Sequence, residues 1–496
     1  MLEPLIYDLG VAGRRGVKYP AIDVPETPLP DEFKRNELNL PEVSESDVVR
    51  HFTRLSTLNY SIDRGFYPLG SCTMKYNPRI NEMTARLAGF TRSHPLQPDE
   101  TVQGNLFLMY YLQEWLKEIG GFAAVSLQPA AGAHGELAGI LMIRAYHQDR
   151  GDLKRDRILI PDSAHGTNPA TTTMSGFRAV QIPSDERGNI DLEKLRDLCD
   201  ETTAGLMITN PSTLGLFEEQ IEEIVELVHS CGGLVYGDGA NMNALLGITR
   251  PGDLGFDVMH YNLHKTFSTP HGGGGPGSGP VGVSERLAPF IPGPIVIPEW
   301  NSDDHDTGSG SDNDIPWYRL AMPEKSIGRL KSFHGHFGVF IRAYTYIRQL
   351  GMEGLRRVAE HAVLNANYLQ ARVSELLPLP YGDRSCMHEF VAEGHLENSD
   401  VRALDISKRL IDYGFHPPTN YFPLIVHEAL MIEPTETESK EALDAFVEAL
   451  ARIIDEAKQN PELLLTAPHN APIRRLDEVQ AAKQLVLCCW ARPEVE

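Results

Sequence analysis

The chain has 496 residues, of which 42% are hydrophobic and 23% are charged, and its formal net charge is −23. This length is enough for two or three domains with buried cores, and the composition is typical of a globular protein. Because the acidic surface would repel phosphate, nonspecific binding of nucleic acid is not expected. No apolar stretch approaches the roughly 20 residues of a bilayer helix, so no membrane association is expected either.

Six cysteines occupy positions 72, 199, 231, 386, 488 and 489 without a CxxC spacing, which predicts free thiols and no structural zinc. His334 and His336 have no adjacent cysteine or carboxylate, so no metal site is predicted. The first twenty residues place acidic side chains before Arg14 and Arg15 and contain no continuous apolar segment, which argues against a secretory signal. We therefore expect a cytoplasmic protein.

In chain order, the first part is rich in proline and charge. The pattern predicts a helix near Ser44–Leu58 and an ordered loop over Phe66–Pro78, which Pro and Gly punctuate at both ends. Apolar residues at helical spacing predict a helix over Leu106–Ile119, and the glycine-rich turn Ala130–Gly135 opens another helix that continues through Ala145.

Short apolar runs then alternate with helical stretches, which indicates a mostly parallel α/β sheet with crossover helices. The predicted strands are Ile158–Pro161, Ala179–Ile182, Leu206–Thr209, Leu234–Tyr236 and Val258–Tyr261, and the helices between them are Leu192–Leu198 and Ile221–His229. Asp303–Asp314 is acidic and rich in Gly and Ser, which predicts a surface loop. A long helix over Val339–Leu376 and shorter elements after it predict a smaller C-terminal α+β domain.

These patterns predict three parts. Residues 1–100 form an N-terminal extension with an active-site loop, residues 101–338 form a large α/β domain, and residues 339–496 form the small α+β domain.

The first residue that suggests chemistry is Lys265, just past a predicted strand and followed by the glycine-rich run Gly272–Gly279. Most lysines are solvated surface residues, and that remains the alternative. A lysine amine withdrawn from water among small residues is suited to forming a Schiff base.

The second is Asp238, which ends the apolar strand that begins at Leu234 and precedes Lys265 by about one β-α-β step. The alternative is an aspartate that caps a turn. Because parallel strands end at the same edge of a sheet, both side chains could face one crevice there.

The third is the small-residue turn Gln128–Glu136, which leads into a helix. It is either helix-entry punctuation or a phosphate site formed by backbone N–H groups and the helix dipole. His165 and the pair Thr209–Asn210 also follow predicted strands. His165 could stack on a ring, although an isolated histidine is more often structural, and Thr209–Asn210 could supply a polar contact.

A phosphate turn, a carboxylate and a lysine in this order resemble the fold-type I pyridoxal-phosphate enzymes, the aspartate-aminotransferase-like superfamily. In that chemistry a lysine binds the cofactor aldehyde, an acid keeps the pyridine nitrogen protonated, and a helix end holds the phosphate. The resemblance implies an α/β fold with a large domain around a mostly parallel sheet and a smaller C-terminal α+β domain.

Five motifs resemble one family in particular, the P-protein of the glycine cleavage system, and within it the lysine-bearing half that is called subunit 2 where the protein is divided. They are Leu69–Pro78, Asp238–Ala244, Asn262–Phe267, Ser326–Arg329 and Met431–Ser439. The likeness extends from Pro4 to about Pro472. One departure is Ala130–His134, which stands where many members have Asn-Ser-Gly-Ala-Gln, so a hydroxyl contact at position 131 is absent.

The resemblance implies decarboxylation of glycine with pyridoxal 5'-phosphate, release of CO₂ and transfer of the aminomethyl group to the lipoyl arm of an H-protein. It implies catalytic roles for Lys265, Asp238 and His165. These three also belong to the implied cofactor site, together with Gly132, Ala133, His134, Thr209, Asn210, Ala240 and His264. The implied glycine pocket is formed by Ser71, Cys72 and Thr73, for which a structural turn is the alternative.

The implied partners are P-protein subunit 1, in a heterotetramer with two copies of each chain, and a lipoylated H-protein. Lys75, Arg79, Arg329 and Lys331 could form a basic patch that steers an acidic H-protein, or they could be solvated or structural side chains. Two other functions stay open. One is a catalytically silent scaffold, and the other is a different fold-type I activity, such as an aminotransferase that would bind a substrate carboxylate through Arg402 or Arg409, or a cysteine desulfurase.

Overall fold

The computed structural model describes residues 3–35, 38, 40–271, 277–300 and 316–487. The predicted loop Asp303–Asp314 and residues 272–276 of the predicted glycine-rich run lie outside these ranges. The chain divides into two compact units, Met1–Gly65 with Ala467–Glu496 and Phe66–Thr466. The boundaries predicted at residues 100 and 338 stay a prediction.

The described residues of the first unit include two α-helices, α1 (Glu45–Leu58) and a later helix, Glu478–Lys483. Helix α1 begins where the sequence predicts, because the Ser44 side chain accepts a hydrogen bond from the Asp47 N–H and the Asp47 carboxylate accepts one from the Ser44 N–H.

The second unit is built around a seven-stranded sheet in the order β1-β7-β6-β5-β4-β2-β3. The strands are β1 (Ala124–Ser126), β2 (Arg157–Pro161), β3 (Arg178–Ile182), β4 (Thr203–Thr209), β5 (Leu234–Asp238), β6 (Val258–His260) and β7 (Val281–Val283). Strands β2 to β6 pair in parallel, whereas β7 pairs antiparallel with both β1 and β6. The five predicted strands are confirmed, whereas the antiparallel strands β1 and β7 of this sheet were not predicted.

Helices cover both faces of this sheet. They are α2 (Arg79–Ala85), α3 (Ala88–Thr91), α4 (Gln103–Gly120), α5 (Gly132–Asp149), α6 (Thr167–Met174), α7 (Leu192–Leu198) and α8 (Ile221–Ser230). In β4, Leu206 and Ile208 pack into one hydrophobic core while Met207 between them packs into another, as side chains that alternate along a strand must. The mostly parallel α/β sheet is therefore confirmed.

The elements after Phe337 form a smaller three-stranded sheet with a hydrophobic core of its own. Helix α9 (Phe337–Val373) leads, through a break at Gly351 where φ is 62°, to β10 (Phe390–Glu393), α10 (Ala403–Asp412), β11 (Thr419–Asn420), β12 (Ala429–Ile432), α11 (Lys440–Gln459) and α12 (Glu462–Leu465). Strands β10, β12 and β11 form an antiparallel sheet, and Phe390, Leu430 and Phe446 share its core. The remaining labelled strands, β8 (Ile295–Glu299) and β9 (Trp317–Ala321), form an antiparallel pair outside both sheets.

None of the helices in the described ranges has the length and apolar composition that a membrane span requires.

Candidate active site

A cavity of about 210 Å³ opens at the carboxyl ends of the central parallel strands. Strands β4, β5 and β6 end at Thr209, Asp238 and His260, and each of these residues lines the cavity. The position agrees with the rule that open α/β sheets bind ligands beyond the carboxyl ends of their strands. The lining residues are Ser71, Gly132, Ala133, Glu136, His165, Thr167, Thr209, Thr213, Asp238, Ala240, His260, Asn262, His264 and Lys265.

The Asp238 carboxylate is the buried anion of this cavity, with only 6% of the residue exposed. Oδ1 accepts a hydrogen bond from the Ala240 N–H (3.0 Å), and Oδ2 accepts one from the Asn168 amide (3.3 Å). Burial alone would raise the pKa of Asp238, but the nearby His260 and Lys265, with these hydrogen bonds, hold that pKa below its usual value. Asp238 therefore stays ionised at neutral pH.

Lys265 is half-buried in the turn after β6. Although it lies 27 residues after Asp238 in the chain, both residues line the same cavity. Its Nζ donates a hydrogen bond to the Ser71 carbonyl oxygen at 2.8 Å. Among the lining residues it is the single Lys or Arg side chain. The predicted convergence of lysine and aspartate in one crevice is what the structure shows.

The turn before α5 forms a wall of backbone. Helix α5 begins at Gly132, and the Ala131 side chain cannot cap its first N–H groups. Gly132 and Ala133, in this first turn, line the cavity. A Cβ on Gly279 would lie 2.0 Å from the Ala131 carbonyl oxygen, and one on Gly135 would lie 2.6 Å from the His260 Cβ. These glycines are needed because other backbone and side-chain atoms approach them closely.

Sequence reasoning missed Glu136, a buried carboxyl in the first turn of α5. It accepts hydrogen bonds from the Thr167 hydroxyl (2.7 Å) and the Asn168 amide (3.0 Å), and Asn168 thereby links it to Asp238. Burial, and then the Asp238 carboxylate, raise the pKa of Glu136 to about 7. Glu136 ends the turn Gln128–Glu136, and Asn168 lies three residues after His165, but only the fold brings the two side chains together.

Three histidines border the cavity in different states. His165 is exposed, and its Nδ1 lies 2.7 Å from the Thr167 hydroxyl. Burial lowers the pKa of His260, whose Nε2 lies 3.5 Å from Asp238, although the carboxylate opposes that shift. Burial, and then His271 and Lys265, lower the pKa of His264 to about 3, so its ring is neutral.

Thr209 is buried at the end of β4, and its hydroxyl has no hydrogen-bond partner within the described ranges. A buried hydroxyl without a partner is costly, so this atom is available to a ligand in the cavity.

Several predicted site residues do not line the cavity. The His134 ring accepts a hydrogen bond from the Ala130 N–H, and the Asn210 side chain accepts one from the Glu218 N–H, so each is used within its own turn. Cys72 and Thr73 are absent from the lining as well, although their neighbour Ser71 belongs to it. Thr73 is almost completely buried.

Comparison with solved structures supports a class of protein for this fold and site. A crystal structure of glycine decarboxylase (P-protein) of the glycine cleavage system superposes with a TM-score of 0.71 at 21% identity, covering 86% of this chain and 93% of the other. Sphingosine-1-phosphate lyase from Burkholderia pseudomallei superposes with a TM-score of 0.61 at 15% identity, covering 89% and 94%. The fold is that of the fold-type I enzymes that use pyridoxal phosphate.

Sequence comparison is more specific. Residues 22–312 match the family "Glycine cleavage system P-protein", and residues 358–471 match "Glycine dehydrogenase, C-terminal domain". Proteins called probable glycine dehydrogenase (decarboxylating) subunit 2 are 58% identical in Caldanaerobacter subterraneus, over 97% of this chain and 98% of theirs, and 58% identical in Chlorobaculum tepidum, over 99% and 100%. The chain belongs to the glycine cleavage system P-protein family, as its motifs predict.

The close approach at Gly279 yields a test of the backbone wall. Gly279→Ala would push the new methyl group into the Ala131 carbonyl and displace the turn before α5. Overpacking of this kind typically costs about 1–3 kcal/mol, so we expect the dissociation constant of pyridoxal phosphate to rise at least about fivefold. Equilibrium titration of the cofactor, followed by its absorbance, measures this.

Gly104→Ala is the matched control, because a Cβ on Gly104 would meet no heavy atom within 4 Å. Its cofactor affinity should equal that of the unaltered chain. Equal affinity in the Gly279→Ala protein would show that this turn does not form part of the cofactor site.

Proposed function

We propose that this chain binds pyridoxal 5'-phosphate, decarboxylates glycine and transfers the aminomethyl group to the lipoyl arm of an H-protein. The observation that carries the proposal is the placement of the Lys265 amine and the ionised Asp238 carboxylate on one cavity under the start of α5, in a chain that matches the family over nearly its full length. The relatives that match over that length are named for glycine decarboxylation.

The residues present fit this cofactor. The Lys265 amine is the group that would bond to its aldehyde, and Asp238 is the anion that would pair with its pyridinium nitrogen. Gly132 and Ala133, at the start of α5, would hold its phosphate, and Thr209 has a hydroxyl free to bind a polar substituent. When bound, the cofactor supplies an electron-accepting ring that makes loss of CO₂ from an amino acid feasible.

Each residue then has a role of its own. Asp238 would keep a proton on the ring nitrogen, because its buried charge stabilises a cation opposite it. Lys265 would bind the aldehyde through its Nζ, and the same amine could accept or donate a proton. His165 would restrain one face of the ring, and Ala240 and His264 would complete the wall of the cofactor site. Ser71 borders the space in which glycine would bind.

The alternative functions are less well supported. A scaffold would not need an amine and an ionised carboxylate on the same cavity. The arginines that an aminotransferase would need are engaged elsewhere, since Arg402 lies 3.4 Å from Glu428, and Arg409 forms ion pairs with Asp412 and Glu456.

We propose two protein partners, subunit 1 of a divided P-protein and a lipoylated H-protein. The first follows from the name "subunit 2" carried by the relatives. The predicted basic patch must be corrected, however, because Lys75 is 3% exposed and its amine is 2.8 Å from the Glu436 carboxylate. Arg79 and Arg329 are exposed and Lys331 is half-buried, so a role in docking stays a prediction for these three, as does the cytoplasmic location of the chain.

The covalent attachment can be tested directly. Lys265→Ala should abolish the borohydride-fixed cofactor adduct and glycine turnover, because no other amine lines the cavity, while some cofactor still binds through its phosphate. Mass spectrometry of the reduced, digested protein locates the adduct. Lys325→Ala is the control, since this lysine is exposed and pairs with Asp149. An adduct on any other lysine would contradict the assignment.

The role of Asp238 can be tested separately. Asp238→Asn keeps the shape but removes the charge that favours a protonated ring, so glycine-dependent release of labelled CO₂ should slow by about 10²–10³-fold. Asp253→Asn, an exposed carboxylate paired with Arg250, should retain the full rate. If Asp238→Asn melts like the unaltered protein and keeps its rate, Asp238 is only a turn residue.

The partner can be tested by mixing. The chain should give full glycine decarboxylation with H-protein only after subunit 1 is added, and the complex should contain two copies of each subunit. Light scattering gives the mass of the complex, and initial rates with and without subunit 1 give the dependence. Full activity of this chain with H-protein alone would falsify the requirement.

A further inference from the structure

A buried cluster of two glutamates and a histidine contacts the loop that Lys265 binds. His388 and Glu389 directly precede β10, and Glu433 directly follows β12. Because Phe390 pairs with Ile432 in antiparallel register, Glu389 and Glu433 continue the pairing and lie opposite each other. The ligand atoms of the three side chains all lie within 4.8 Å of one another.

Burial disfavours the charged forms of all three side chains in this cluster. His388 and Glu389 are 0% exposed and Glu433 is 1% exposed, and two ionised carboxylates opposite each other in such surroundings would repel strongly. Burial raises the pKa of Glu389 to about 8, and burial, then Glu389, raise the pKa of Glu433 well above its usual range. Burial, and then Lys265, lower the pKa of His388 to about 3.

A short chain of hydrogen bonds joins this cluster to the reactive amine. The Lys265 amine donates to the Ser71 carbonyl oxygen (2.8 Å), and the Ser71 N–H donates to Glu389 Oε2 (2.6 Å). Ser71 has φ of 63°, a left-handed conformation that is unfavourable for serine and needs support from its surroundings. The Asn241 amide, three residues after Asp238, lies 3.4 Å from the other Glu389 oxygen.

A bound cation is the main alternative for this cluster. Both ring nitrogens of His388 and both oxygens of Glu433 have no hydrogen-bond partner within the described ranges, and a metal ion would give them one. Two observations count against a metal ion. Glu389 Oε2 is already used by Ser71, and the Lys265 amine, itself a cation when protonated, would repel a metal ion in the cluster.

We propose that Glu389 is a positioning residue for Lys265: its side chain accepts a hydrogen bond from the Ser71 N–H and so fixes the Ser71 carbonyl that holds the amine at the cavity. The inference rests on the proposed function, because it concerns the attachment of the cofactor. It deepens that function by giving a task to a residue that does not line the cavity.

The test measures cofactor attachment rather than turnover. The full-length chain is mixed with pyridoxal phosphate, and samples reduced with borohydride over time give the rate at which the Lys265 peptide gains the cofactor. Because a displacement of about 1 Å can cost about 10²-fold, Glu389→Ala should slow attachment by about 10–100-fold. Glu389→Gln should stay within about threefold of the unaltered chain, since its amide oxygen can still accept the Ser71 N–H.

Glu393→Ala is the control, because this glutamate belongs to β10 but not to the cluster. Attachment in Glu389→Ala at the unaltered rate, or an equal loss in the Glu389→Ala and Glu389→Gln proteins, would overturn the proposal. So would a metal ion bound at one per chain that Glu433→Gln removes. If Glu389→Ala does not fold, the rate in Glu389→Gln decides. Failure of the unaltered chain to attach cofactor at Lys265 would instead refute the proposed function.

Discussion

The site depends on one electrostatic constraint, an ionised carboxylate buried at the end of β5. Asp238 is 6% exposed, and leaving it charged without compensation would cost several kcal/mol. The fold supplies the compensation from separate elements: the Ala240 N–H from the following turn, the Asn168 amide from α6, and the positive charge of Lys265 from the loop after β6. The parallel order of the sheet brings these groups to one point.

Glu136 shows the cost of the same constraint. Its carboxyl lies so close to Asp238 that ionisation of one opposes ionisation of the other. The pKa of Glu136 is therefore raised, whereas that of Asp238 stays low. Asn168 donates to both carboxyls, so a side chain with a single donor in its place would lose one of these two hydrogen bonds. This pair therefore fixes the position of α6 against α5, and with it the position of His165 before α6.

Local patterns were sufficient for the parallel strands and for the helices α1, α4, α5, α7, α8 and α9. The apolar residues Ile221, Ile224, Val225 and Val228 are buried along one face of α8, which is the spacing that predicts a helix. Strands β1 (Ala-Val-Ser) and β7 (Val-Gly-Val) contain no run of large apolar residues, so the sequence pattern does not indicate them. In the same way, motifs at strand ends identified Lys265 and Asp238, because one topological step brings them together. Glu389 could not be found in this way, because it is 318 residues from its partner Ser71.

Lys75 shows why charge in a motif is a weak guide to a surface. Its amine binds Asn243 (2.9 Å), Tyr346 (3.1 Å) and Glu436 (2.8 Å), so a residue that the sequence suggests for docking lies inside the protein. The loop Leu69–Pro78 is thus held at two points. The buried Lys75 amine binds Glu436, and the Ser71 N–H binds the buried Glu389 side chain. Both contacts lead to the small sheet, since Glu436 and Glu389 flank its strands β12 and β10. Ser71 keeps its strained conformation because these two contacts fix the loop on either side of Cys72. The Lys265 amine, which binds the Ser71 carbonyl, is therefore positioned by the C-terminal part of the chain as well as by the large sheet.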